Sequence, residues 1–276
     1  MIVPVGGLAN RMRAVASGMA LAKDAGREAG VAWMTDWALN APFHRLFEPL
    51  PASMGSCCVE DVRGWAKRCL LDRPRRKNLY LPRLFQKLMF RSCLYEERMA
   101  ERIRSHFDFL DWARRGGGYV ASCYTFYPYP DGAVKELFVP LPEIREEVER
   151  RVSAFSAHTI GVHVRRTDNV ASIKESPLEL FYEQIDRERA AHADLKVYLA
   201  TDSEEVKRQM RLRYGDMILL ASQQARRDSV EGIKDGVAEM YTLARTRRIY
   251  GSYGSSYSEM AAEIGRVPLV VVRRPC

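Results

Sequence analysis

The 276-residue sequence predicts an α/β protein with parallel sheets in two halves, of which the C-terminal half is the more regular. Short apolar runs alternate with longer amphipathic segments, which is the pattern of βα units. Polar or glycine-rich residues follow directly after several of the runs. The length is sufficient for two small domains with separate cores, and we place their boundary between residues 156 and 157.

The N-terminal half, residues 1–156, opens with a predicted βαβ unit. Apolar runs at 2–5 and 31–34 enclose a Gly-Gly turn and a helix, in which Met12, Val15 and Met19 recur at helical spacing. Prolines interrupt the following segment. The remaining elements predicted in this half are helices at 83–92 and 94–106, a strand at 119–122, an aromatic loop at 124–130 and a charged bridging helix at 142–156.

The C-terminal half, residues 157–276, has a regular βα alternation that predicts a Rossmann-like domain. Its helices are expected to begin at N-cap side chains, namely Ser176 before Pro177, Asp202 with Glu205, and Ser256 with Glu259. The predicted strands are 159–164, 196–200, 217–220, 247–251 and 267–273, and the predicted helices are 177–191, one from 202, 229–246 and one from 257.

The first strand of this half ends in a polar motif, His163-Val-Arg-Arg-Thr-Asp168. Alternation places His163, Arg165 and Thr167 on one face of the strand. The carboxyl end of a strand in an open α/β sheet is where ligands bind, and the arginine fork suits a diphosphate. Asp168 would hold one guanidinium in place. The alternative is a strand that simply opens into a solvated basic loop.

This motif resembles the first donor motif of the GDP-fucose-dependent fucosyltransferases, which include the α1,6-fucosyltransferases and the nodulation fucosyltransferase. The opening Gly6-Gly-Leu-Ala-Asn-Arg11 is similar to the Gly-x-x-Asn-Arg/Gln opening of the same superfamily. The resemblance implies a GT-B architecture, in which two Rossmann-like domains face a cleft. It also implies a GDP-sugar donor, inversion at the anomeric carbon and no metal. Asn10 and Arg11 would lie at the cleft, near the sugar or the nucleotide.

The resemblance also implies roles for residues of the C-terminal half, which would bind the donor. His163 would contact the nucleotide, and Arg165 the β-phosphate, with Arg166 as a second source of positive charge. Thr201 and Asp202 would lie near the nucleotide, although Asp202 is equally typical of a plain N-cap. Glu239 would accept hydrogen bonds from guanine, the alternative being a solvated helix residue. Ser255 and Ser256 would bind the β-phosphate.

The sequence departs from the family at three points. Gly254 replaces the aromatic residue before the two serines, which affects base stacking more than phosphate binding. Asn169 stands where the eukaryotic enzymes have lysine. Glu175, displaced from the family position, is the candidate catalytic base, together with Arg165 as the residue that stabilises the departing GDP. The chain has no Asp-x-Asp, the usual source of ligands for a divalent metal in such enzymes, so we expect no cofactor or metal.

The net charge of +8 favours an anionic partner, and much of it lies in residues 63–91, which also carry many apolar residues. This segment is typical of a peripheral contact with an anionic membrane, or of ordinary surface helices. We expect no nucleic-acid partner, because no DNA- or RNA-binding module is recognisable. The six cysteines show no paired spacing and predict reduced thiols packed as small apolar residues.

The sequence therefore predicts a fucosyltransferase-like enzyme that uses GDP-fucose and a glycan acceptor. It has no run of about 20 apolar residues and no signal peptide at its start, so we expect it in the cytoplasm, with peripheral association at the inner face of the membrane as an option that its basic segment leaves open. Three alternatives stay open: a GT-B transferase for another nucleotide-sugar, a catalytically inert nucleotide-sugar binder, which Asn169 would suit, and a nucleic-acid-binding protein suggested by the charge alone.

Overall fold

The computed structural model of the chain describes residues 1–51, 58–72, 81–167, 170–221 and 228–274. It divides into two compact units, Met1–Val139 and Pro140–Cys276, each built around a five-stranded parallel sheet flanked by helices. The predicted α/β class with two Rossmann-like units is confirmed. The division lies between residues 139 and 140, not 156 and 157, because the helix predicted as a bridge packs within the second unit.

The first unit has its five strands in the order β3-β2-β1-β5-β4. No helix among the described residues of the chain is long and apolar enough to cross a membrane. The elements of this unit are β1 (Ile2–Pro4), α1 (Leu8–Asp24), β2 (Gly30–Trp33), β3 (Cys58–Asp61), α2 (Gly64–Leu70), α3 (Leu81–Met89), β4 (Ser92–Leu94), α4 (Met99–Arg104), α5 (Phe109–Arg114), β5 (Gly118–Ser122) and α6 (Ala133–Leu137).

The central strands of the first sheet follow the sequence prediction, whereas its two edge strands do not. Val3 on β1, Ala32 on β2 and Ala121 on β5 belong to one buried cluster. β3 and β4 are short edge strands that lack a clear apolar alternation, so the sequence did not predict them. β4 and a 3₁₀ turn at Glu96–Arg98 occupy the start of the helix predicted at 94–106, which leaves only α4.

The second unit has its five strands in the order β10-β9-β6-β7-β8, so β6 lies at the centre. Its elements are α7 (Pro142–Val152), β6 (Ile160–Val164), α8 (Val170–Glu175), α9 (Leu178–Ala191), β7 (Val197–Thr201), α10 (Glu204–Tyr214), β8 (Ile218–Leu220), α11 (Val230–Leu243), β9 (Ile249–Ser252), α12 (Ser256–Gly265) and β10 (Leu269–Val272). All five predicted strands of this half are present, each within a few residues of its predicted bounds.

Ser176 is not the N-cap of α9, contrary to the prediction. Pro177 takes that position, and no side chain caps the helix. The fully buried Ser176 hydroxyl instead donates a hydrogen bond to the carbonyl of Val272 (2.6 Å) and accepts one from the backbone N–H of Tyr253 (2.8 Å). It therefore joins the end of β10 to the loop that follows β9, where two backbone groups would otherwise lack a partner.

The described cysteines, Cys58, Cys69, Cys93 and Cys123, are reduced thiols. Cys69 is buried, as expected of a cysteine packed as a small apolar residue. Cys58 is exposed, because it lies on the edge strand β3, so that expectation was wrong for this residue. Cys57 and Cys276 lie outside the described residues.

Candidate active site

The carboxyl edge of the second sheet gathers most of the predicted donor-binding residues. The register of β6 against β7 places Val164 beside Thr201, so these strands end at the same level. The residues that follow three adjacent strands are therefore neighbours: Arg165 after β6, Asp202 after β7 and Tyr253 after β9. In an open α/β sheet this edge is where ligands bind.

Asp202 fixes the segment that follows β6. Its carboxylate accepts hydrogen bonds from the backbone N–H of Arg166 (2.8 Å), the backbone N–H of Thr167 (3.3 Å) and the Thr167 hydroxyl (2.7 Å). The same carboxylate forms an ion pair with Nε of Arg165 at 3.3 Å. One acidic side chain from β7 thus holds three consecutive residues after β6.

Asp202 and Ser256 do not cap the helices that follow them, as the predicted capping boxes required. The cap of α10 is Ser203, whose hydroxyl accepts from the backbone N–H of Val206 at 3.3 Å. At α12 the N-cap position belongs to Ser255, which makes no side-chain cap bond. In both places the predicted cap lies one residue away from the observed one. The Asp202 carboxylate instead accepts hydrogen bonds from the residues that follow β6.

The two arginines of the motif have different surroundings. The Arg166 guanidinium donates hydrogen bonds to the carbonyl oxygens of Ser176 (2.8 Å) and Arg165 (3.3 Å), and desolvation by burial lowers its pKa. Arg165 instead meets the Asp202 carboxylate, and its backbone N–H donates to the hydroxyl of Ser252 at 3.0 Å. Arg166 therefore supports the loop, whereas the guanidinium of Arg165 is positioned by a charge at the sheet edge.

His163 links β6 to the start of α12. The side chain is buried, and its Nδ1 lies 3.2 Å from the hydroxyl of Ser255. Its ring lies 4.9 Å from the ring of Tyr257, measured between centroids. Ser256, half-buried, is the first residue of α12, where backbone N–H groups without an intrahelical partner favour an anion. Thr201 is buried and donates to the carbonyl of Val164 at 2.7 Å.

Glu239 lies on α11 and is buried, so the alternative of a solvated helix residue is excluded. Burial raises the pKa of its carboxyl to about 7, and the nearby charge of Asp235 acts in the same direction. The hydroxyl of Tyr257 donates to the carbonyl of Gly236 at 2.5 Å, and its oxygen lies 3.3 Å from Glu239 Oε2. Near neutral pH this carboxyl is therefore partly protonated and partly ionised.

Asp235, one helical turn before Glu239, is held by Arg151 of α7. The Arg151 guanidinium donates to Asp235 Oδ1, to the hydroxyl of Tyr198 (3.1 Å) and to Oε1 of Glu147 (2.7 Å). The other carboxylate oxygen of Asp235, Oδ2, is buried and has no hydrogen-bond partner among the described residues. The ion pair keeps the Asp235 charge in place, although burial raises the pKa of this carboxyl as well.

Asn10 and Arg11 lie on the first turn of α1, at the carboxyl edge of the first sheet. Arg11 is 1% exposed, and its guanidinium donates to the carbonyl oxygens of Gly6 (2.7 Å) and Met34 (2.5 Å). It also pairs with Asp36 at 2.9 Å, and burial lowers its pKa. These contacts tie α1 to the ends of β1 and β2. Asn10 is half-buried beside Gly6, whose φ of +87° requires glycine.

Of the remaining predicted residues, the structure describes Glu175, which lies on α8. Glu175 is its last residue and is half-buried, and its carbonyl accepts from the backbone N–H of Arg274 at 2.9 Å. Asp168 and Asn169 lie outside the described residues, so their predicted roles stay predictions. Among the residues that the structure does describe, no group of His, Cys, Asp and Glu side chains is arranged to hold a metal ion.

Sequence reasoning missed four residues of this arrangement: Ser252, Tyr257, Asp235 and Arg151. Ser252 and Tyr257 flank the predicted Gly-Ser-Ser motif, so their position beside it was a usable signal. Asp235 precedes Glu239 by four residues and therefore shares its helix face. Arg151 carries no local signal, because its partner lies 84 residues further along the chain.

No protein-family model and no curated protein sequence matches the chain. Several solved structures, in contrast, are similar to the chain. The fucosyltransferase NodZ from Bradyrhizobium is similar over 98% of this chain and 93% of its own, with a TM-score of 0.59 at 18% identity. A variant of Arabidopsis thaliana FUT1 in complex with GDP is similar over 99% of this chain and 70% of its own, with a TM-score of 0.61 at 15% identity.

A third similar structure is POFUT1 in complex with GDP-fucose, which matches over 98% of this chain and 97% of its own. Its TM-score is 0.57 and its identity 12%. At identities this low, the likeness establishes the fold: the chain has the GT-B fold that these fucosyltransferases share.

Proposed function

We propose that the protein transfers fucose from GDP-fucose to a hydroxyl group of a glycan acceptor, with inversion at the anomeric carbon and without a metal ion. The observation that carries the proposal is the Arg165–Asp202 pair at the carboxyl edge of the second sheet. The surrounding fold supports it, since NodZ and POFUT1, which share the fold, were solved with GDP-fucose. The second unit would bind the donor and the first unit the acceptor.

The diphosphate would lie between Arg165 and the start of α12. A planar guanidinium can donate two parallel hydrogen bonds to phosphate oxygens, and Asp202 restricts Arg165 to one region of the sheet edge. The hydroxyls of Ser255 and Ser256 and the first backbone N–H groups of α12 would add neutral donors on the other side. As GDP departs, negative charge grows on the β-phosphate, and Arg165 would stabilise it in place of a metal.

The guanine would be recognised by Glu239. Guanine presents two adjacent N–H donors, on N1 and on the 2-amino group, and an ionised carboxylate accepts both. The hydroxyl of Tyr257 lies 3.3 Å from Oε2 and would help to orient the carboxyl. The Asp235 charge, fixed by Arg151, works against ionisation of Glu239, so guanine binding would be coupled to the release of a proton.

In the proposed reaction, one bond forms at the anomeric carbon as another breaks. The acceptor hydroxyl oxygen forms a bond to the anomeric carbon from the face opposite GDP, while the bond from that carbon to the β-phosphate oxygen breaks. The electron pair of the broken bond remains on GDP, next to Arg165. The hydroxyl proton passes to a base, for which we propose Glu175, half-buried at the end of α8. Attack from the opposite face inverts the configuration.

A second candidate donor is a UDP-sugar, favoured by one observation. Because the pKa of Glu239 is about 7, the carboxyl is partly protonated at neutral pH. A protonated carboxyl donates one hydrogen bond and accepts another, which matches the carbonyl and N–H of uracil. Thermal shift with GDP and UDP separates the two, since stabilisation by UDP alone would reject GDP-fucose as donor.

The acceptor is expected to be presented at a membrane or on a surface polysaccharide precursor. The basic segment 63–91 would then hold the enzyme at an anionic membrane while it modifies its substrate. The charge of this segment is the support for that part of the proposal.

Replacing Arg165 by alanine is expected to lower the rate of GDP release from GDP-fucose by about 10²–10³-fold in the presence of a panel of oligosaccharide acceptors. The matched control is Arg211→Ala, which removes an exposed arginine from α10 of the same unit and should leave the rate unchanged. Turnover of the Arg165 variant within a few-fold of the wild type would remove Arg165 from the leaving-group role.

Glu175→Gln is expected to lower kcat by about 10²-fold or more with the acceptor found in that panel, while the Kd for GDP stays unchanged, since the proposed base acts on the acceptor. Glu183→Gln, an exposed glutamate on α9, serves as control. Full turnover of the Glu175 variant would show that another group takes the proton.

GDP affinity is expected to fall as the pH drops below about 7, by up to about tenfold per pH unit, because Glu239 must lose its proton to accept both guanine N–H groups. Titration calorimetry between pH 6 and 8.5 measures this. Glu239→Gln should lose most of that dependence, and with it the preference for GDP over IDP, which lacks the 2-amino group.

The control for this prediction is Glu231→Gln, an exposed glutamate on the same helix, which should behave as the wild type. The diphosphate of GDP also titrates, and this contribution to the pH dependence is the same for the wild type and for Glu239→Gln. The glutamine variant therefore measures it separately from the titration of Glu239. Equal affinity of the wild type for GDP and IDP at pH 8 would contradict guanine recognition by Glu239.

A further inference from the structure

The helix α3 presents three leucines and Met89 to solvent and buries the polar side chain of Gln86. Leu84 and Leu88 are 56% and 76% exposed, whereas Gln86 is fully buried. Surface helices of globular proteins usually have the opposite arrangement. The exposed apolar side chains of α3 are Leu81, Leu84, Leu88 and Met89.

The buried amide of Gln86 fixes this orientation. Its Nε2 donates to the carbonyl oxygens of Cys69 (3.0 Å) and Leu71 (2.9 Å), at the end of α2. Rolling α3 to bury its leucines would break both hydrogen bonds and leave the two carbonyls unsatisfied. The two hydrogen bonds of Gln86 therefore keep the apolar side chains of α3 on the solvent side.

Trp65 of α2 extends the same apolar surface. Its ring packs edge-on against Phe85 of α3, with centroids 5.2 Å apart, and the side chain is 67% exposed. Of the 13 large apolar side chains that are exposed among the described residues, five lie on these two helices. We call this set the α2–α3 face: Trp65, Leu81, Leu84, Leu88 and Met89. Such a concentration marks an interaction site, unlike single exposed leucines.

The segment that contains the α2–α3 face is rich in positive charge, although Glu97, which lies outside this segment, pairs with Arg83 of α3 at 2.8 Å. Residues 63–91 contain ten of the 43 Lys and Arg residues of the chain but one of its 35 Asp and Glu residues, so this segment accounts for the whole net charge. That one acid, Asp72, is buried. The exposed basic side chains of α2 and α3 and their flanks are Arg63, Arg68, Lys87 and Arg91.

The combination of apolar surface and positive charge fits an anionic bilayer better than a nucleic acid or an apolar protein. A nucleic acid would use the charge but not the leucines, and an apolar protein partner would not require so one-sided a charge. An anionic bilayer uses both, since its acyl chains accept the apolar side chains and its phosphates attract Lys and Arg.

We propose that the α2–α3 face is an interfacial membrane anchor that inserts Trp65, Leu84 and Leu88 below the headgroups of an anionic bilayer. Arg63, Arg68, Lys87 and Arg91 would lie at the level of the lipid phosphates. The inference deepens the membrane association put forward above and rests on that part of the proposed function. It adds that burial of apolar side chains, and not charge alone, holds the protein at the membrane.

The test is co-sedimentation of the full chain with phosphatidylcholine vesicles, with and without phosphatidylglycerol. Binding is expected to the anionic vesicles, with a blue shift of tryptophan emission that Trp65→Phe removes. The Leu84→Ser/Leu88→Ser variant should bind about tenfold or more weakly, since each leucine loses its buried apolar area. Lys87→Glu/Arg91→Glu should weaken binding only to anionic vesicles.

The matched control is Leu212→Ser on α10, which is 74% exposed and should bind as the wild type. Full binding by the double leucine variant, combined with release by salt, would overturn insertion in favour of charge alone. A dimer in light scattering that the same variant dissociates would overturn it in favour of a second copy of the chain. Absence of vesicle binding would overturn it outright.

The result is separable from that of the transferase assay. Vesicle binding requires no donor, and turnover of GDP-fucose with a soluble acceptor requires no membrane. Vesicle binding without turnover would reject the proposed chemistry and keep the anchor, whereas turnover without vesicle binding would reject the anchor alone.

Discussion

The carboxylate of Asp202 is the constraint on which the candidate site depends. It comes from the end of β7 and binds the backbone of Arg166, both backbone and hydroxyl of Thr167, and the guanidinium of Arg165. A strand end would otherwise lead into an unrestrained basic loop. Because one acceptor holds three successive residues, the position of the Arg165 charge is set before any ligand arrives, which is the condition under which electrostatic stabilisation is most effective.

A second buried charge system complements the first. Arg151 fixes Asp235, and the Asp235 charge together with burial raises the pKa of Glu239 to about 7. Two carboxyls on one face of a buried helix cannot both ionise easily, and Arg151 favours the charged form of Asp235. The candidate site therefore contains two different kinds of group: an arginine paired with Asp202 at the sheet edge, and a buried carboxyl on α11 whose pKa is raised to about 7.

Local pattern was enough to predict the strands of the second sheet and most of the residues at its edge, because strand ends and their polar successors are adjacent in the sequence. It did not predict which atoms those residues would bind. Ser176 and Asp202 were both expected to cap helices, and both bind a neighbouring strand or loop. A polar side chain near a helix start can bind either the backbone of that helix or a group far away in the sequence. Only the first kind of partner can be recognised from the local sequence. The sequence showed the apolar stripe of α3, but not that Gln86 turns it outward.

The central claim, that Arg165 binds the β-phosphate of a guanine nucleotide, is tested most directly by calorimetric titration of GDP and GMP into the wild type and Arg165→Ala. These ligands differ only in the β-phosphate. The wild type should prefer GDP by about 10–100-fold more than the variant does, the value of a hydrogen bond to a charged group, and the variant should keep only the weaker preference that Ser255, Ser256 and the start of α12 supply. An undiminished preference for GDP in the variant would contradict the account.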